Sequence, residues 1–155
     1  MTGTASTRLS TLGLTLPKLR APVGNFVMAK RHRDLLYLSG QGPNTEGAAR
    51  ISGKVGDTVS VEEAYQHARL VTLNLLSVAD NHLGSLDRID AIIKVLGFVN
   101  AAPDFTAHPS VINGCSDLLV ELFGPDHGSH ARSAIGAGSL PAQITVEIEM
   151  IVSCR

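Results

Sequence analysis

The chain has 155 residues, of which 44% are hydrophobic, and a formal net charge of -1 at pH 7. This length and composition suit one domain with a substantial core. The near-neutral charge gives no general attraction to nucleic acid or to anionic membranes. Aromatic residues are scarce, with no Trp, two Tyr and four Phe, so surfaces for base stacking are also poorly supplied. Nucleic acid and membrane are therefore not expected as partners.

The cysteines and the N-terminal composition bear on location. Cys115 and Cys154 are too few for a disulfide framework, and neither lies in a CxxC motif or beside a histidine at metal-ligand spacing. We therefore expect a reducing, cytoplasmic environment. Residues 1–10 contain many Ser and Thr without a continuous apolar stretch, unlike a secretory signal. No apolar run approaches the roughly 20 residues that span a bilayer.

The N-terminal part is predicted to be an arm followed by two strands. Residues 1–10 are polar and have little to bury, which predicts a mobile arm. Residues 12–19 could form a short edge strand that Pro17 limits. We assign residues 1–20 to this arm and edge segment, and residues 21–155 to a single domain. Within that domain, residues 22–29 are predicted to turn into a strand, which forms a hairpin with a second strand over 35–39 through the charged turn 31–34.

A glycine-rich loop, SGQGPN at residues 39–44, closes the second strand. Gly40 has no Cβ, so a ligand could approach the backbone closely at this position. From the residues of the segment alone, an ordinary turn is the simpler interpretation. A further loop with glycines follows, and a short strand is predicted near residues 50–52.

An amphipathic helix is predicted from Ser60 to Gly84. Ser60 and Glu63 have the spacing of a capping box, and Gly84 is a natural C-terminal stop. His67 and His82 lie off the apolar stripe, and neither has a second ligand at the i+4 position, so we expect solvated surface histidines and not a metal site. The stripe itself consists of Ala64, Ala68, Val71, Leu75, Ala79 and Leu83.

A strand and a second helix are predicted next. Residues 91–99 are mostly aliphatic and are typical of a central strand that is buried on both faces. The second helix is predicted over about residues 110–123, with Gly124 after it. Residues 124–130 are then a loop. The apolar stripe of this helix places Cys115 in the core, together with Val111, Leu118, Leu119 and Leu122.

The last predicted strand carries two carboxylates on one face. Glu147 and Glu149 alternate with Val146, Ile148 and Met150. Because successive side chains of a strand point to opposite faces, the carboxylates share one face and the aliphatic groups the other. One face is therefore core, and the other is available for chemistry or for solvent.

Arg132 is the only Lys or Arg between Lys94 and Arg155, in a segment of small residues. A lone guanidinium in such surroundings suits a fork-shaped site for a planar carboxylate. The residues leave an alternative open, in which Arg132 is a surface or interface arginine paired with Glu147, Glu149 or a neighbouring chain.

The order strand, strand, strand, helix, strand, helix, strand is typical of an α+β fold, with a sheet of five or six strands and two helices on one face. An aliphatic sheet face without a cover suggests self-association. The chain contains no P-loop, no GxGxxG after a strand, no GxSxG and no HExxH. We therefore expect a reaction without a cofactor and without a metal.

Two segments together resemble the RidA/YjgF family of imine and enamine deaminases. They are YLSGQGP at residues 37–43, and RS at 132–133 followed by LP at 140–141 and VEIE at 146–149. The resemblance covers roughly residues 22–152. It implies a chorismate-mutase-like fold with a mixed sheet, a homotrimer with one ligand site at each subunit interface, and hydrolysis of 2-aminoacrylate-type enamines and 2-imino acids to 2-keto acids and ammonia.

The resemblance also implies roles for individual residues. Arg132 matches the carboxylate-binding arginine of the family. Glu147 matches the acidic residue on the following strand, which would position water or the leaving amine. Gly40 and the adjoining Ser39 match the loop that lines the ligand site. A bidentate arginine would fix the planar acid while a positioned water adds to the imine carbon.

This chain departs from the family pattern at substrate-binding positions. Phe26 stands where many members have a tyrosine, and Ala134 stands where they often have a cysteine two residues after the arginine. The stretch 124–131 also looks longer and carries His127 and His130. His130 could donate a proton near neutral pH in place of the missing tyrosine hydroxyl. A solvated loop histidine is the alternative.

Three functions from different classes follow from these observations. The first is the imine and enamine deaminase. The second is a protein that binds or senses a small carboxylate without turnover, which the loss of the tyrosine would permit. The third is an endoribonuclease or translation inhibitor, an activity associated with the family's name, which the neutral charge and the few aromatics disfavour.

Overall fold

The computed structural model describes residues 3–155. It consists of one five-stranded sheet with two long helices on one face and a short N-terminal helix beside them. Single 3₁₀ turns, Leu86–Arg88 and Pro141–Gln143, precede β3 and β5. The elements in chain order are α1 Ala5–Thr11, β1 Ala29–His32, β2 Leu35–Gln41, α2 Val61–Leu83, β3 Ile89–Asn100, α3 His108–Gly128, β4 Ala131–Ala137 and β5 Val146–Cys154.

The sheet is mixed, as predicted. Its strand order is β1-β2-β5-β3-β4, in which β3 and β4 are parallel and all the other neighbours are antiparallel. A parallel pair needs a crossover connection, and α3 provides it between β3 and β4. The helix therefore packs over these two strands, and β4 becomes an edge of the sheet.

The two faces of the sheet have different surroundings. A Cβ on Gly97 of β3 would come within 2.5 Å of the Ile112 side chain on α3, so the face to which Gly97 belongs lies under the helices. We call it the helix-covered face; Val95 and Met150 share it. The opposite face, called the open face here, carries the paired residues Phe98 and Glu147, with Leu96 and Glu149 beside them.

The first long helix follows the sequence prediction closely. Ser60 Oγ accepts from the backbone N–H of Glu63, and the Glu63 carboxylate accepts from the backbone N–H of Ser60, so the capping box is confirmed. The helix ends at Gly84, which has a φ of 84°.

Cys115 of α3 is fully buried, and this burial raises the pKa of its thiol to about 12, which makes it an unreactive core residue.

The mobile arm predicted for residues 1–10 is wrong from Ala5 onward. Thr4 caps α1 by accepting from the backbone N–H of Thr7, and Ala5 and Leu9 are buried. Arg8 Nη1 also donates to the carbonyl of Leu122 over 3.1 Å. Tertiary contacts therefore hold the helix. Residues 1 and 2 lie outside the described residues, and 12–19 form no strand.

Other element predictions need correction. Residues 91–99 are not buried on both faces, because the helices cover only one; Ile93 is 42% exposed. The first strand is Ala29–His32 and not residues 22–29, so the hairpin turn is confined to residues 33–34. Near residues 50–52 there is only a single bridge, between Ser52 and Ile144. The helix predicted over 110–123 starts earlier and resumes after a break at Gly124, so 124–128 are not a loop.

Within the part of the chain that the structure describes, no helix is long and apolar enough to cross a membrane. The cysteines, Cys115 and Cys154, are both buried and free.

Replacing Leu9 by Ala should lower the free energy of unfolding by about 2–4 kcal/mol, because truncating a buried leucine removes apolar burial and leaves a cavity. Leu9 is only 8% exposed. Denaturant unfolding followed by circular dichroism, at one fixed chain concentration, measures the change. Thr11→Ala on the exposed side of the same helix is the control. Equal unfolding midpoints for the two variants would show that α1 does not belong to the cooperative unit.

Candidate carboxylate-binding site

Arg132 lies on edge strand β4, and its guanidinium is hydrogen-bonded to side chains of α3. It pairs with Val95 in the parallel ladder and so belongs to the helix-covered face. Its Nη1 donates to Asn113 Oδ1 over 2.8 Å and to Ser116 Oγ over 3.1 Å. Asn113 and Ser116 are three residues apart on α3, so their side chains lie on one side of the helix. The crossover helix therefore positions the guanidinium.

These two contacts leave one edge of the guanidinium open. Nη1 carries two N–H groups, and Asn113 and Ser116 accept both of them. Nε and Nη2 of Arg132 make no hydrogen bond to any residue from 3 to 155, and no carboxylate in that range forms an ion pair with it. The alternative of pairing with Glu147 or Glu149 of the same chain is thus wrong. The Nε–Nη2 edge has the geometry that binds a carboxylate through two parallel hydrogen bonds.

Ala134 continues the site along β4. It pairs with Gly97 on the helix-covered face, the face that Arg132 also occupies, and it is half-buried. Because Ala134 and Gly97 are both small, they leave space next to Arg132. A cysteine at this position, as in many members of the resembled family, would fill more of this space.

Glu147 packs against the glycine-rich loop on the open face. A Cβ on Gly40 would lie 3.2 Å from Glu147 Cγ and Cδ, so a larger residue at this position would have to displace the carboxylate side chain. Burial, and secondly the charge of Glu149, raise the pKa of Glu147. A half-buried carboxyl group with a raised pKa can take up and release a proton closer to neutral pH than an ordinary glutamate.

Within one chain, the structure does not bring Arg132 and Glu147 together. Arg132 is in register with Val95 on the helix-covered face, whereas Glu147 is in register with Phe98 on the open face. Strand β3 also lies between the strands that carry them. A single ligand cannot contact both groups of one chain through the sheet.

Phe26 and Ser39 lie together on the open face. Ser39 Oγ donates to the carbonyl of Val27 over 2.7 Å, which holds the segment before β1 against the loop. Phe26 is 45% exposed and lines a groove of about 440 Å³ with Ser39, Tyr37 and Glu149. These two predicted substrate-binding residues are therefore close to each other and remote from the guanidinium of the same chain.

Both ring nitrogens of His130 are engaged. Nδ1 is 2.7 Å from the carbonyl oxygen of Gly128, and Nε2 is 2.9 Å from Ser116 Oγ. Burial first, and the charge of Arg132 in addition, lower the pKa of His130, against an opposing contribution from the Gly128 carbonyl. His130 is therefore not a solvated loop residue, and neither nitrogen is free to donate a proton to a ligand. His127 is exposed.

His67 was expected at the surface, and this prediction is wrong. Its Nδ1 is 3.0 Å from the hydroxyl of Thr145, which is fully buried just before β5. Burial lowers the pKa of His67, with an opposing contribution from Glu63. His82 is exposed, as predicted. No group of three or more His, Cys, Asp or Glu side chains among residues 3–155 could hold a metal ion.

Sequence reasoning missed the two residues that orient Arg132. Asn113 and Ser116 are polar positions beside the apolar stripe of α3, and on the sequence they look like an ordinary solvated flank. Their spacing of three residues was the available signal. This spacing indicates a site only when it is known that α3 packs against β4, the strand that carries Arg132.

The fold agrees with comparisons to known proteins. Residues 6–150 match the sequence model of the family described as "YjgF/chorismate_mutase-like, putative endoribonuclease". The match covers nearly the whole chain, and the chain belongs to this family.

Three relatives illustrate the range of the family. Protein TCP17 of Trypanosoma cruzi is 36% identical over 150 residues, which cover 97% of this chain and 94% of that protein. A crystal structure of a "putative endoribonuclease" from Shewanella oneidensis has a TM-score of 0.93 and 31% identity, covering 97% of this chain and 99% of the other. A 2-iminobutanoate/2-iminopropanoate deaminase of Dermatophagoides farinae is 27% identical over 90% of this chain and 93% of that protein.

The lowered pKa of His67 predicts an acid-sensitive fold. Because the folded state disfavours the charged imidazole, the unfolded chain binds more protons, and stability falls as the pH drops below the unfolded value of about 6.5. His67→Asn keeps a polar group beside Thr145 and cannot titrate, so it should lose less stability between about pH 7 and pH 5. Exposed His82→Asn is the matched control. Equal pH slopes for both variants, in denaturant titrations at fixed chain concentration, would refute the assignment.

Proposed function

We propose that this protein hydrolyses reactive enamines and 2-imino acids of the 2-aminoacrylate type to 2-keto acids and ammonia. The observation that carries the proposal is the orientation of Arg132, whose Nη1 is occupied by Asn113 and Ser116 while its Nε–Nη2 edge is open. A 2-imino acid presents a planar carboxylate beside the imine carbon. Bidentate binding of the carboxylate fixes the position of that carbon.

The chemistry that remains is proton transfer. The enamine tautomerises to the imine, water adds to the imine carbon, and the C–N bond of the resulting carbinolamine breaks to release ammonia as the carbonyl forms. A group that takes a proton from water and returns one to the nitrogen serves both steps. Glu147 is our candidate, since burial and Glu149 raise its pKa. No cofactor enters this sequence.

We place this reaction between subunits. Arg132 and Glu147 occupy opposite faces of one chain, so a common ligand needs Arg132 of one subunit and Glu147 of another. The open face supports association, because Tyr37 and Ile135 are 43% and 46% exposed there and no element of the described chain covers it. A homotrimer is the arrangement that the family resemblance implies.

Phe26, Ser39 and Gly40 complete the proposed site from the open face. The groove they adjoin is partly apolar, with Val27 and Ile151 in its lining. Phe26 provides an apolar wall where a tyrosine would add a hydroxyl. With Ala134 beside the guanidinium, the site has room for a side chain larger than the methylene of 2-aminoacrylate.

The deaminase relative from Dermatophagoides farinae supports this chemistry, and the name of the Trypanosoma cruzi relative states no activity. Binding of a small carboxylate without turnover is the second candidate. Phe26 and Ala134 favour it, because they remove a hydroxyl and a thiol and leave the Arg132 arrangement intact. The name "putative endoribonuclease" of the Shewanella relative suggests RNA cleavage. The net charge of -1 disfavours it, since RNA binding relies on phosphate contacts.

Arg132→Ala should lower kcat/KM for 2-aminoacrylate by about 100-fold or more, because it removes the charge-assisted hydrogen bonds to the carboxylate. The substrate is generated in place by a serine dehydratase, and its decay is compared with and without the protein. Arg132→Lys keeps the charge without the fork and should recover little. Arg50→Ala, at an exposed arginine, is the control. No acceleration by the wild type, with retained binding of pyruvate, would favour the binding protein.

Mixed oligomers test the placement between subunits. Arg132→Ala and Glu147→Gln should each be nearly inactive alone. Co-expressed with different tags and purified as mixed trimers, they should recover about a third of the wild-type sites, because one of the three head-to-tail interfaces then pairs the intact Arg of one subunit with the intact Glu of the next. The mass of the assembly in solution is measured on the same samples. Mixed trimers no more active than the parents would refute a shared site.

A further inference from the structure

Arg132, Ser116, His130 and Gly128 form a directional chain of hydrogen bonds. The carbonyl of Gly128 can only accept, so His130 Nδ1 carries the hydrogen over the 2.7 Å contact. In the neutral ring Nε2 is then an acceptor, and the hydroxyl of Ser116 donates to it over 2.9 Å. The hydroxyl oxygen in turn accepts from Arg132 Nη1 over 3.1 Å. The tautomer of His130 and the direction of the Ser116 hydroxyl are thereby fixed together.

The backbone after α3 is built to present this carbonyl. Gly124 has a φ of 80°, which breaks the helix before Pro125. Gly128 is buried, and a Cβ there would lie 2.5 Å from the carbonyl oxygen of Leu119. Only a glycine allows the chain to return this closely to α3. The stretch that looked like an extended loop is therefore a rigid support for His130.

Within one chain, no carboxylate among residues 3–155 contacts His130 to stabilise its protonated form. The positive charge of Arg132 on β4 acts on His130 and disfavours protonation of the imidazole. On α3, the carboxylates of Asp117 and Glu121 are bonded to Tyr65 and Arg69 of α2. Asp126 and His127, on the short helical piece after Gly124, are exposed. A proton on Nε2 would also take away the acceptor of the Ser116 hydroxyl.

We propose that Ser116 and His130 are positioning residues that hold the open edge of Arg132 toward its ligand only while the imidazole is neutral, so that carboxylate binding weakens as His130 is protonated. This inference rests on the proposed role of Arg132 as the carboxylate-binding residue. It gives His130 a role other than proton donor, and it adds to the site a sensitivity to pH that comes from outside the reacting groups. The half-buried position of His130 supports it, because burial disfavours the charged imidazole and lowers its pKa.

Equilibrium binding of pyruvate, measured by calorimetry at pH 7.5 and pH 5.5, tests the inference on the full-length oligomer. The carboxylate of pyruvate stays ionised over this range. We expect wild-type binding to weaken by at most about 10-fold at the lower pH, because protonation removes one neutral hydrogen bond and adds a like charge while Asn113 still holds Nη1. The same profile is recorded in Glu147→Gln, because Glu147 also titrates abnormally.

Four variants separate positioning from general damage. His130→Gln offers an acceptor to Ser116 and cannot be protonated, so its binding should be nearly equal at both pH values. Ser116→Ala should bind weakly at both and should raise KM for 2-aminoacrylate more than it lowers kcat, while Ser116→Thr keeps the hydroxyl and should restore binding. His127→Gln, at an exposed histidine, should keep the wild-type profile.

The outcomes distinguish this inference from the function on which it rests. Pyruvate binding that depends on Arg132 but is equal at both pH values would overturn the inference alone. A pH dependence that persists in His130→Gln, or disappears in Glu147→Gln, would also overturn it. Absence of pyruvate binding by the wild type at either pH would overturn the proposed function and this inference together.

Discussion

The packing of α3 against both the sheet and its neighbour α2 is the constraint on which the site depends. A Cβ on Gly97 would meet Ile112 at 2.5 Å, and a Cβ on Gly114 would meet the backbone oxygen of Tyr65 at 2.0 Å. Glycines at both positions let the helix approach the strand on one side and its partner helix on the other. This close packing leaves Asn113 and Ser116 little freedom relative to β4, and their hydrogen bonds to Arg132 follow from it.

In the proposed reaction the site is divided between the two faces of the sheet, and the open face then has a role in catalysis as well as in association. One chain supplies a positioned cation at a sheet edge and a carboxyl group with a raised pKa on the other side of the sheet. Covering the open face with a second subunit would remove Glu147 further from water, which raises a carboxyl pKa still more. In this proposal, association would therefore complete the site and at the same time adjust the group that transfers protons.

Local signals in the sequence predicted α2 and β5 well, since the Ser60–Glu63 box and the strict alternation around Glu147 are sufficient in themselves. Helix α1 was not predicted, because its stability comes from contacts with residues distant in the sequence, such as the hydrogen bond from Arg8 to the carbonyl of Leu122. The same limitation applies to the site. Arg132 was recognised as unusual, but its face and its partners depend on the pairing of β4 with β3, which no local pattern encodes.

The chemistry of the partners of Arg132 is itself informative. A structural arginine in a protein commonly meets a carboxylate, which neutralises the charge. Here the acceptors are an amide oxygen and a hydroxyl, and the hydroxyl in turn donates a hydrogen bond to the imidazole of His130. Neutral acceptors fix the orientation of the guanidinium and leave its positive charge intact. An arginine that is oriented but not neutralised is suited to bind an anion from outside the chain, whereas an ion pair at the same place would first have to be broken.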